Sequence, residues 1–214
     1  MTALDPRLYL VLDPVHGPAD PLAVVRDAVA GGVTAVQVRA PGATGRELCD
    51  ATRAVIDTLA GSGVAVVVDD RLDVALAAGA DGVHLGRHDA PPGAARRVAG
   101  PDLSLGWSVT GPDDLDVARH LGPGVVDLLG IGPVFTTATK PDAAPATGVD
   151  GLRRLWEAAA GLGVTAVAIG GVHADNAAEV LATGVPGLAV SSAIAAAAEP
   201  GAAARELRAV VDGR

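Results

Sequence analysis

The residues of this sequence that could carry out chemistry are carboxylates, hydroxyls, single cations and glycines that follow short apolar segments. They are Gln37, Arg39, Asp69, Asp70, His84, Asp89, Ser108, Thr137, Thr139, Lys140, Gly171, Ser191 and Ser192. Mg²⁺ prefers oxygen ligands, commonly one or two carboxylates together with phosphate oxygens and water. A diphosphate needs several cations and N–H donors around it. The set therefore indicates a site for a divalent metal ion and a diphosphate.

The carboxylates are the candidate metal ligands. Asp70 and Asp89 follow two consecutive apolar segments, at 64–69 and 82–85, and lie near each other if those segments are neighbouring strands. Asp69 directly precedes Asp70, and side-chain alternation along a strand sends adjacent residues to opposite faces. An acidic residue at the end of a strand is also a common helix N-cap. The metal assignment therefore depends on the whole set of residues.

Lysine occurs once in the chain. Fifteen of the sixteen basic residues are arginine and the other is Lys140, in the long segment 132–148 that also contains Thr137 and Thr139. A position that keeps lysine favours a compact ammonium group over a planar guanidinium, and chance is the alternative. Long loops in compact domains are usually functional or disordered. We interpret this segment as a lid that closes over a diphosphate and brings a cation to the leaving group.

Short apolar segments alternate with helical patterns along the whole chain, and Gly, Pro or Asp stands at the joints. Strands are predicted at 8–12, 35–39, 64–69, 82–85, 103–108, 125–131, 165–169 and 187–190. Helices are predicted at 21–30, 44–60, 71–78, 92–98, 112–121, 149–161, 175–183 and 195–211. Repeated βα units form either an open doubly wound sheet or a closed barrel. Eight units without a GxGxxG turn after the first strand favour a single-domain (β/α)₈ TIM barrel over residues 1–214.

The carboxyl ends of barrel strands carry the chemistry in this fold, and two loops there suit a phosphate. Ile169-Gly170-Gly171 and Val190-Ser191-Ser192 follow the seventh and eighth predicted strands. Glycine allows close backbone approach, and a helix start directs N–H groups at an anion. Simple turn glycines and a helix cap are the alternative.

Composition excludes several classes of function. Half of the residues are apolar but only 2% are aromatic, and the net charge is −9. A nucleic-acid surface needs clustered cations, so we expect no nucleic-acid partner. Without a signal-length apolar leader or a spanning segment we expect a cytoplasmic protein that does not enter a membrane. The single Cys49 has no disulfide partner and is interpreted as a small buried hydrophobe.

Several motifs in order resemble the thiamine phosphate synthase (thiamine-phosphate pyrophosphorylase) family over nearly the whole chain. They are Val-Gln-Val-Arg at 36–39, Asp-Arg-Leu-Asp-Val-Ala-Leu at 70–76, Ala-Asp-Gly-Val-His-Leu-Gly at 80–86, Asp89, Gly-Trp-Ser at 106–108, Gly-Ile-Gly-Pro-Val-Phe at 130–135, Thr-Ala-Thr-Lys at 137–140 and Ile-Gly-Gly-Val at 169–172.

The resemblance implies a transferase that uses Mg²⁺. An aminopyrimidine diphosphate would lose pyrophosphate, and the nitrogen of a thiazole phosphate would capture the resulting cation. Carried over, Gln37 binds the pyrimidine, and Asp70 and Asp89 bind Mg²⁺. The diphosphate ligands are Arg39, Ser108 and Lys140, and the thiazole-phosphate ligands are Thr137, Thr139, Gly171, Ser191 and Ser192. His84 either faces the pyrimidine or is a packed structural histidine.

The sequence departs from the family pattern at three positions. Pro41 replaces the usual lysine two places after Arg39, and Asp69 replaces the usual asparagine before Asp70; both changes make the diphosphate pocket more negative. Arg87 stands where glutamine is customary, two residues before Asp89. A guanidinium there could replace the missing ammonium.

Two other functions stay open at this point. A thiazole tautomerase is a related barrel that tends to lack the metal carboxylates and the Thr-x-Thr-Lys segment, both of which are present here. A catalytically silent barrel that binds a thiamine precursor or a partner protein is the second alternative. A single barrel and a homodimer are both open as assemblies.

Overall fold

Eight parallel strands alternate with helices and close into a barrel in the order β1 to β8. This computed structural model describes residues 3–137 and 144–213. The strands are β1 (Leu8–Leu12), β2 (Ala35–Val38), β3 (Ala65–Asp69), β4 (Gly82–Leu85), β5 (Ser104–Val109), β6 (Leu128–Ile131), β7 (Thr165–Ile169) and β8 (Gly187–Val190). Strand β8 pairs with β1 through Leu8 and Leu188, which closes the ring. The predicted (β/α)₈ fold is confirmed.

The helices cover the outside of the barrel. They are α1 (Pro21–Ala30), α2 (Gly45–Thr58), α3 (Leu72–Ala78), α4 (Pro92–Ala99), α5 (Pro112–Leu121), α6 (Gly148–Ala158), α7 (Ala174–Leu181), α8 (Ser192–Ala195) and α9 (Pro200–Asp212). Local signals set their starts. The Thr44 hydroxyl accepts the Glu47 N–H, while the Glu47 carboxylate accepts the Thr44 N–H, which forms a capping box before α2.

The helix predicted at 195–211 is wrong in its first part. The structure has two helices there, α8 and α9, separated by a non-helical segment that ends at Glu199. Pro200 is the first residue of α9, and a residue before proline is pushed out of the helical region, as Glu199 is at φ −128 and ψ 84. The apolar pattern continues across this break, so periodicity alone did not reveal it, although Pro200-Gly201 was a local signal for a joint.

None of the helices in the described ranges is both long enough and apolar enough to cross a membrane. The longest of them, α2, has 14 residues, whereas a span needs about 20.

Alternation along the strands separates two sets of buried residues. Leu8, Leu10 and Leu12 point outward into the large core between strands and helices. Tyr9 and Val11 point inward and belong to a small interior cluster. The other buried apolar residues of this cluster are Ala35, Val67, Leu128, Val167 and Ala189. The inward-facing positions of the same strands therefore decide what lines the mouth of the barrel.

Candidate active site

The inward-facing positions change from apolar to polar toward the carboxyl ends of the strands. Two residues beyond Ala35 lies Gln37, and two residues beyond Val67 lies Asp69. Inward-facing side chains recur at every second residue of a strand. Arg39 just beyond β2, His84 of β4 and Ser108 of β5 therefore face the same mouth. The inward set is Gln37, Arg39, Asp69, His84 and Ser108. The structure thus brings these five together at one end of the barrel.

Gln37 is buried inside the barrel with an orienting partner. Its Nε2 donates to the Tyr9 hydroxyl over 3.3 Å. Burial raises the pKa of Tyr9 above its ordinary value, and the charge of Asp69 raises it further. Tyr9 therefore stays a neutral phenol, and the Gln37 amide oxygen is directed to other partners such as a ligand.

Arg39 and Asp69 form an ion pair between β2 and β3. Arg39 Nε lies 3.0 Å from Asp69 Oδ2, and the two side chains are 22% and 13% exposed. Asp69, the residue that replaces the family's asparagine, therefore holds one edge of the guanidinium. The terminal nitrogens of Arg39 remain available to an anionic ligand.

Asp70 lies beyond the end of β3 with an unusual backbone conformation. Its φ is +61, the one positive value at a non-glycine residue in the part of the chain that the structure describes. Asp tolerates this left-handed region better than most residues. The Asp70 N–H still donates to the His84 carbonyl over 2.8 Å. Because the chain turns here, strand alternation no longer sets the direction of Asp70, and Asp69 takes the inward position.

Asp89 closes a tight turn after β4. Its Oδ2 accepts the Gly86 N–H over 2.7 Å, and its own N–H donates to the Gly86 carbonyl over 3.1 Å. A methyl group placed on Gly86 would lie 3.3 Å from Asp89 Oδ2 and 4.0 Å from Ser108 Oγ. The Asp89 carboxylate and the Ser108 hydroxyl therefore flank the same backbone position at the barrel mouth.

His84 occupies a space that two glycines leave open. A Cβ on Gly106 would collide with His84 Nδ1, and one on Gly130 would lie 2.9 Å from His84 Cε1. The other nitrogen, Nε2, lies 3.0 Å from Ser108 Oγ. The imidazole thus lies across β5 and β6 and orients the Ser108 hydroxyl. His84 is thus packed against two glycines and lies beside Ser108, and its contact with a pyrimidine stays a prediction.

Asp70 and Asp89 offer oxygen donors that suit Mg²⁺. The loops that carry them are adjacent, because Asp70 bonds to His84, two residues before Gly86. Among residues 3–137 and 144–213, no group of three or more His, Cys, Asp or Glu side chains could hold a metal ion. Two carboxylates are what Mg²⁺ takes when phosphate oxygens and water complete its coordination. The donor set therefore fits a metal ion that binds together with a phosphorylated ligand.

The glycines after β7 have a packing role of their own. Gly170 and Gly171 have φ values of +99 and +66. A Cβ on Gly170 would collide with Pro133, and one on Gly171 would lie 2.7 Å from Phe135 Cβ. Glycine is required here because the segment after β6 crosses so closely. The predicted phosphate role of Gly171 stays a prediction, as does that of Ser191 and Ser192 at the start of α8.

The segment after β6 runs from the barrel over β7. Val134 N–H donates to the Ile169 carbonyl and Phe135 N–H to the Gly170 carbonyl, at 2.8 and 2.9 Å. Thr137 is half-buried at the end of this described stretch. Thr139 and Lys140 lie outside the described residues, so their predicted contacts with phosphates stay predictions.

Comparison with known proteins places the chain in a family. The family model described as thiamine monophosphate synthase matches residues 8–194. The chain belongs to the thiamine monophosphate synthase family. A thiamine-phosphate synthase of Albidiferax ferrireducens is 46% identical over 96% of this chain and 92% of its own length. One from Azorhizobium caulinodans is 44% identical over 97% of this chain and 96% of its own.

A solved structure agrees with the sequence match. The thiamine phosphate pyrophosphorylase from Pyrococcus furiosus superimposes with a TM-score of 0.86, at 38% identity, over 98% of this chain and 97% of its own. As a member of this family, the protein is a transferase of thiamine biosynthesis. The resemblance stated from the motifs is confirmed, and the tautomerase and silent-barrel alternatives are not favoured.

Arg87 has a partner that the sequence did not predict. Its Nε and Nη2 donate to Asp114 Oδ1 at 3.1 and 2.9 Å. One edge of the Arg87 guanidinium is therefore already bound to the Asp114 carboxylate. The hypothesis that Arg87 replaces the family's missing ammonium did not include this partner.

Sequence reasoning also missed the residues that support the site. Tyr9, Gly106, Gly130 and Asp114 contact predicted site residues or their loops. Tyr9, the one tyrosine in the chain, lies two residues before the other interior residue of β1, so its type and inward register were the available signal. Gly106 and Gly130 belong to motifs that carry the family resemblance, but nothing local in the sequence indicates that they leave space for His84.

Proposed function

We propose that this protein joins 4-amino-2-methyl-5-hydroxymethylpyrimidine diphosphate to 4-methyl-5-(2-phosphoethyl)thiazole, giving thiamine phosphate and pyrophosphate. The bond between the pyrimidinylmethyl carbon and the diphosphate oxygen breaks, and its electron pair leaves with pyrophosphate. The lone pair of the thiazole nitrogen then forms the new carbon–nitrogen bond. Family membership supports this reaction, and the grouping of cationic and acidic residues at one barrel mouth supports its location.

The roles proposed for individual residues follow from their positions. Gln37, held by Tyr9, presents its amide oxygen to the amino group of the pyrimidine. Arg39 offers its terminal nitrogens to the diphosphate, and Ser108, held by His84, offers its hydroxyl. Lys140 is proposed to reach the same diphosphate. The thiazole phosphate is assigned to Thr137, Thr139, Gly171, Ser191 and Ser192.

Stabilisation of the departing diphosphate is the main catalytic effect in this proposal. Donors that already point toward the place where negative charge develops do not have to reorganise during the reaction. A bound Mg²⁺, held by Asp70 and Asp89, would add positive charge at the leaving oxygens. Pairing with Asp69 and with His84 keeps Arg39 and Ser108 in place before the substrate arrives.

One observation carries this assignment. The Asp89 carboxylate and the Ser108 hydroxyl both lie within 4.0 Å of a Cβ placed on Gly86, so the proposed metal ligand and the proposed diphosphate donor are close together at one rim of the barrel. A diphosphate bound there would bridge both groups.

The decisive assay measures thiamine phosphate formed from the two precursors, with Mg²⁺ and with EDTA. We expect product only with Mg²⁺, and a kcat lowered by about 100-fold in Lys140→Ala, the usual cost of losing a donor to developing charge. Arg97→Ala removes an exposed cation from α4 and should keep the parent rate.

Two results would contradict parts of this proposal. A parent protein that binds thiazole phosphate but forms no product with Mg²⁺ would refute the reaction. A parent-like kcat in Lys140→Ala would refute only the role proposed for Lys140 and would not refute the reaction.

Asp69→Asn tests the effect of the extra negative charge. Restoring the family's asparagine removes about 1 kcal/mol of repulsion in a partly solvated site. We expect the KM for the pyrimidine diphosphate to fall by about 3- to 10-fold, and the KM for the thiazole phosphate to stay unchanged. Steady-state kinetics with each substrate varied in turn measures both. A higher KM for the diphosphate would mean that Asp69 matters more as the anchor of Arg39 than as a repelling charge.

Mg²⁺ dependence, a cytoplasmic location and a homodimeric assembly belong to this proposal as well. Gel filtration with light scattering distinguishes a homodimer from a single barrel.

A further inference from the structure

Asp114 is the one buried charged residue among residues 3–137 and 144–213. It lies in the first turn of α5, and its side chain is 5% exposed. A buried carboxylate is costly unless hydrogen bonds and charges compensate for lost hydration. The function proposed above does not use this residue, so its burial needs another explanation.

Four donors from two loops converge on this carboxylate. Arg87 Nε and Nη2 bond to Oδ1 at 3.1 and 2.9 Å. The Thr110 N–H and hydroxyl bond to Oδ2 at 2.8 and 2.7 Å. The Trp107 indole N–H also donates to the Asp114 carbonyl over 2.9 Å, which fixes the residue against β5.

The two loops are the ones that carry a candidate metal ligand and a candidate diphosphate ligand. Arg87 lies inside the turn that Gly86 and Asp89 close after β4. Thr110 lies two residues beyond Ser108 at the end of β5. Each oxygen of Asp114 therefore holds one of the loops, and α5 connects them from behind the site.

We propose that Asp114 is a positioning residue that ties the Asp89 turn to the Ser108 strand end, with Arg87 as the link to the turn. The proposal rests on the function proposed above, because it assumes that Asp89 and Ser108 bind a metal ion and a diphosphate. Arg87 then acts through Asp114 and Asp89, and its contribution to diphosphate binding is indirect. It supports the turn from outside and does not stand in for the family's lysine.

The protonation state of Asp114 agrees with this arrangement. Burial alone would raise its pKa, but the Thr110 hydrogen bonds and the Arg87 guanidinium outweigh burial and lower it below the ordinary aspartate value. The carboxylate is therefore ionised at neutral pH and accepts all of its donors. Arg87 is 58% exposed, so solvent screens its pairing in part and the Thr110 bonds are the firmer ones.

The test uses three variants: Asp114→Asn, Arg87→Ala, and the protein that carries both changes. Each is compared with the control variant Asp127→Asn. Asparagine keeps an oxygen for Thr110 but turns an amide N–H₂ toward the Arg87 donors, so it breaks the link to the turn. Asp127 is the matched control, because its Oδ2 accepts the Arg96 guanidinium at 2.6 Å and the Leu105 N–H at 2.8 Å, on the opposite end of the barrel.

We expect Asp114→Asn and Arg87→Ala each to raise the half-saturating Mg²⁺ concentration and the KM for the pyrimidine diphosphate by about 10-fold, as for other residues that orient metal ligands. The KM for the thiazole phosphate should stay within about 2-fold of the parent value, and the double variant should be no worse than Asp114→Asn. Asp127→Asn should lower Tm without changing either constant. Arg87→Ala removes only an exposed side chain, so it keeps the test valid if Asp114→Asn does not fold.

Hydrogen exchange gives a readout that is independent of activity. The amides of Gly86 and Asp89 should exchange several-fold faster in Asp114→Asn and Arg87→Ala than in the parent or in Asp127→Asn. Unchanged exchange in both variants overturns the tether even if the enzyme is active. A second result also overturns the tether: the KM for the pyrimidine diphosphate rises in Arg87→Ala but stays parent-like in Asp114→Asn. The Arg87 guanidinium would then contact the substrate directly. If the parent forms no product but these amides still exchange faster in the two variants than in the parent, the tether is supported and the failure lies with the proposed reaction.

Discussion

Replacing Asp70 or Asp89 by asparagine is expected to lower kcat by about 100- to 1,000-fold while the barrel stays folded. Each change removes one carboxylate from the proposed Mg²⁺ site, so the leaving diphosphate loses positive charge when it departs. Asparagine tolerates the left-handed backbone of Asp70, and at Asp89 its carbonyl can still accept the Gly86 N–H. The measurement is kcat as a function of Mg²⁺ concentration, together with Tm for each variant.

Asp73→Asn is the matched control for these variants. Asp73 lies three residues after Asp70 and pairs with Arg71 on the surface, where its side chain is 67% exposed. Its loss should change stability by less than about 0.5 kcal/mol and leave kcat unchanged. If Asp70→Asn and Asp89→Asn lose activity with no change in the Mg²⁺ concentration they need, neither residue is a metal ligand.

The second large effect is expected from Gly106→Ala. A single methyl group there would collide with the His84 ring, so the imidazole would have to shift from its position beside Ser108. We expect a loss of about 1–3 kcal/mol in stability, and a kcat lowered by about 10- to 100-fold because Ser108 loses its hydrogen bond to His84. Thermal unfolding and steady-state kinetics measure the two effects separately.

Gly111→Ala provides the control for a glycine in the same stretch. Among residues 3–137 and 144–213, no atom lies within 4 Å of a Cβ placed on Gly111, and the φ of −170 at Gly111 suits any residue. It should behave like the parent in both assays. Gly130→Ala contacts the same imidazole at 2.9 Å and should repeat the defect of Gly106→Ala. Parent-like kcat in both His84-contacting variants would show that the position of the imidazole does not matter for turnover.

The elements of the fold were predictable because their patterns are local. Strands β1, β4, β7 and β8 and helices α1 and α5 have the bounds that periodicity and turn residues indicated. Errors occur where a local pattern continues past a break, as between α8 and α9, or where apolar residues precede the strand, as Val125 and Val126 do before β6. The last case arises because residues outside a barrel strand can be apolar without pairing in the sheet.

The site was predictable to a lesser extent. The motifs and the rule that chemistry lies at the carboxyl ends of barrel strands selected Gln37, Arg39, Asp69, His84 and Ser108, and all of them face one mouth. The orientation of Asp70 was not predictable, because a single positive φ ends the alternation on which the expectation rested. The hypothesis for Arg87 was incomplete, because spacing along the chain contains no information about Asp114, which is 27 residues away.

The sequence by itself determined the (β/α)₈ fold, the family, and which residue types stand at the strand ends. Those properties follow from apolar periodicity and from ordered motifs. Both are local patterns, which are present in a segment regardless of what that segment contacts in the fold. Only the tertiary structure decided which side chains hold the site residues: Asp69 with Arg39, Ser108 with His84 over Gly106 and Gly130, and Asp114 with Arg87 and Thr110. These contacts join different strands and loops, and their geometry depends on the closure of the ring, which brings the ends of all eight strands to one rim.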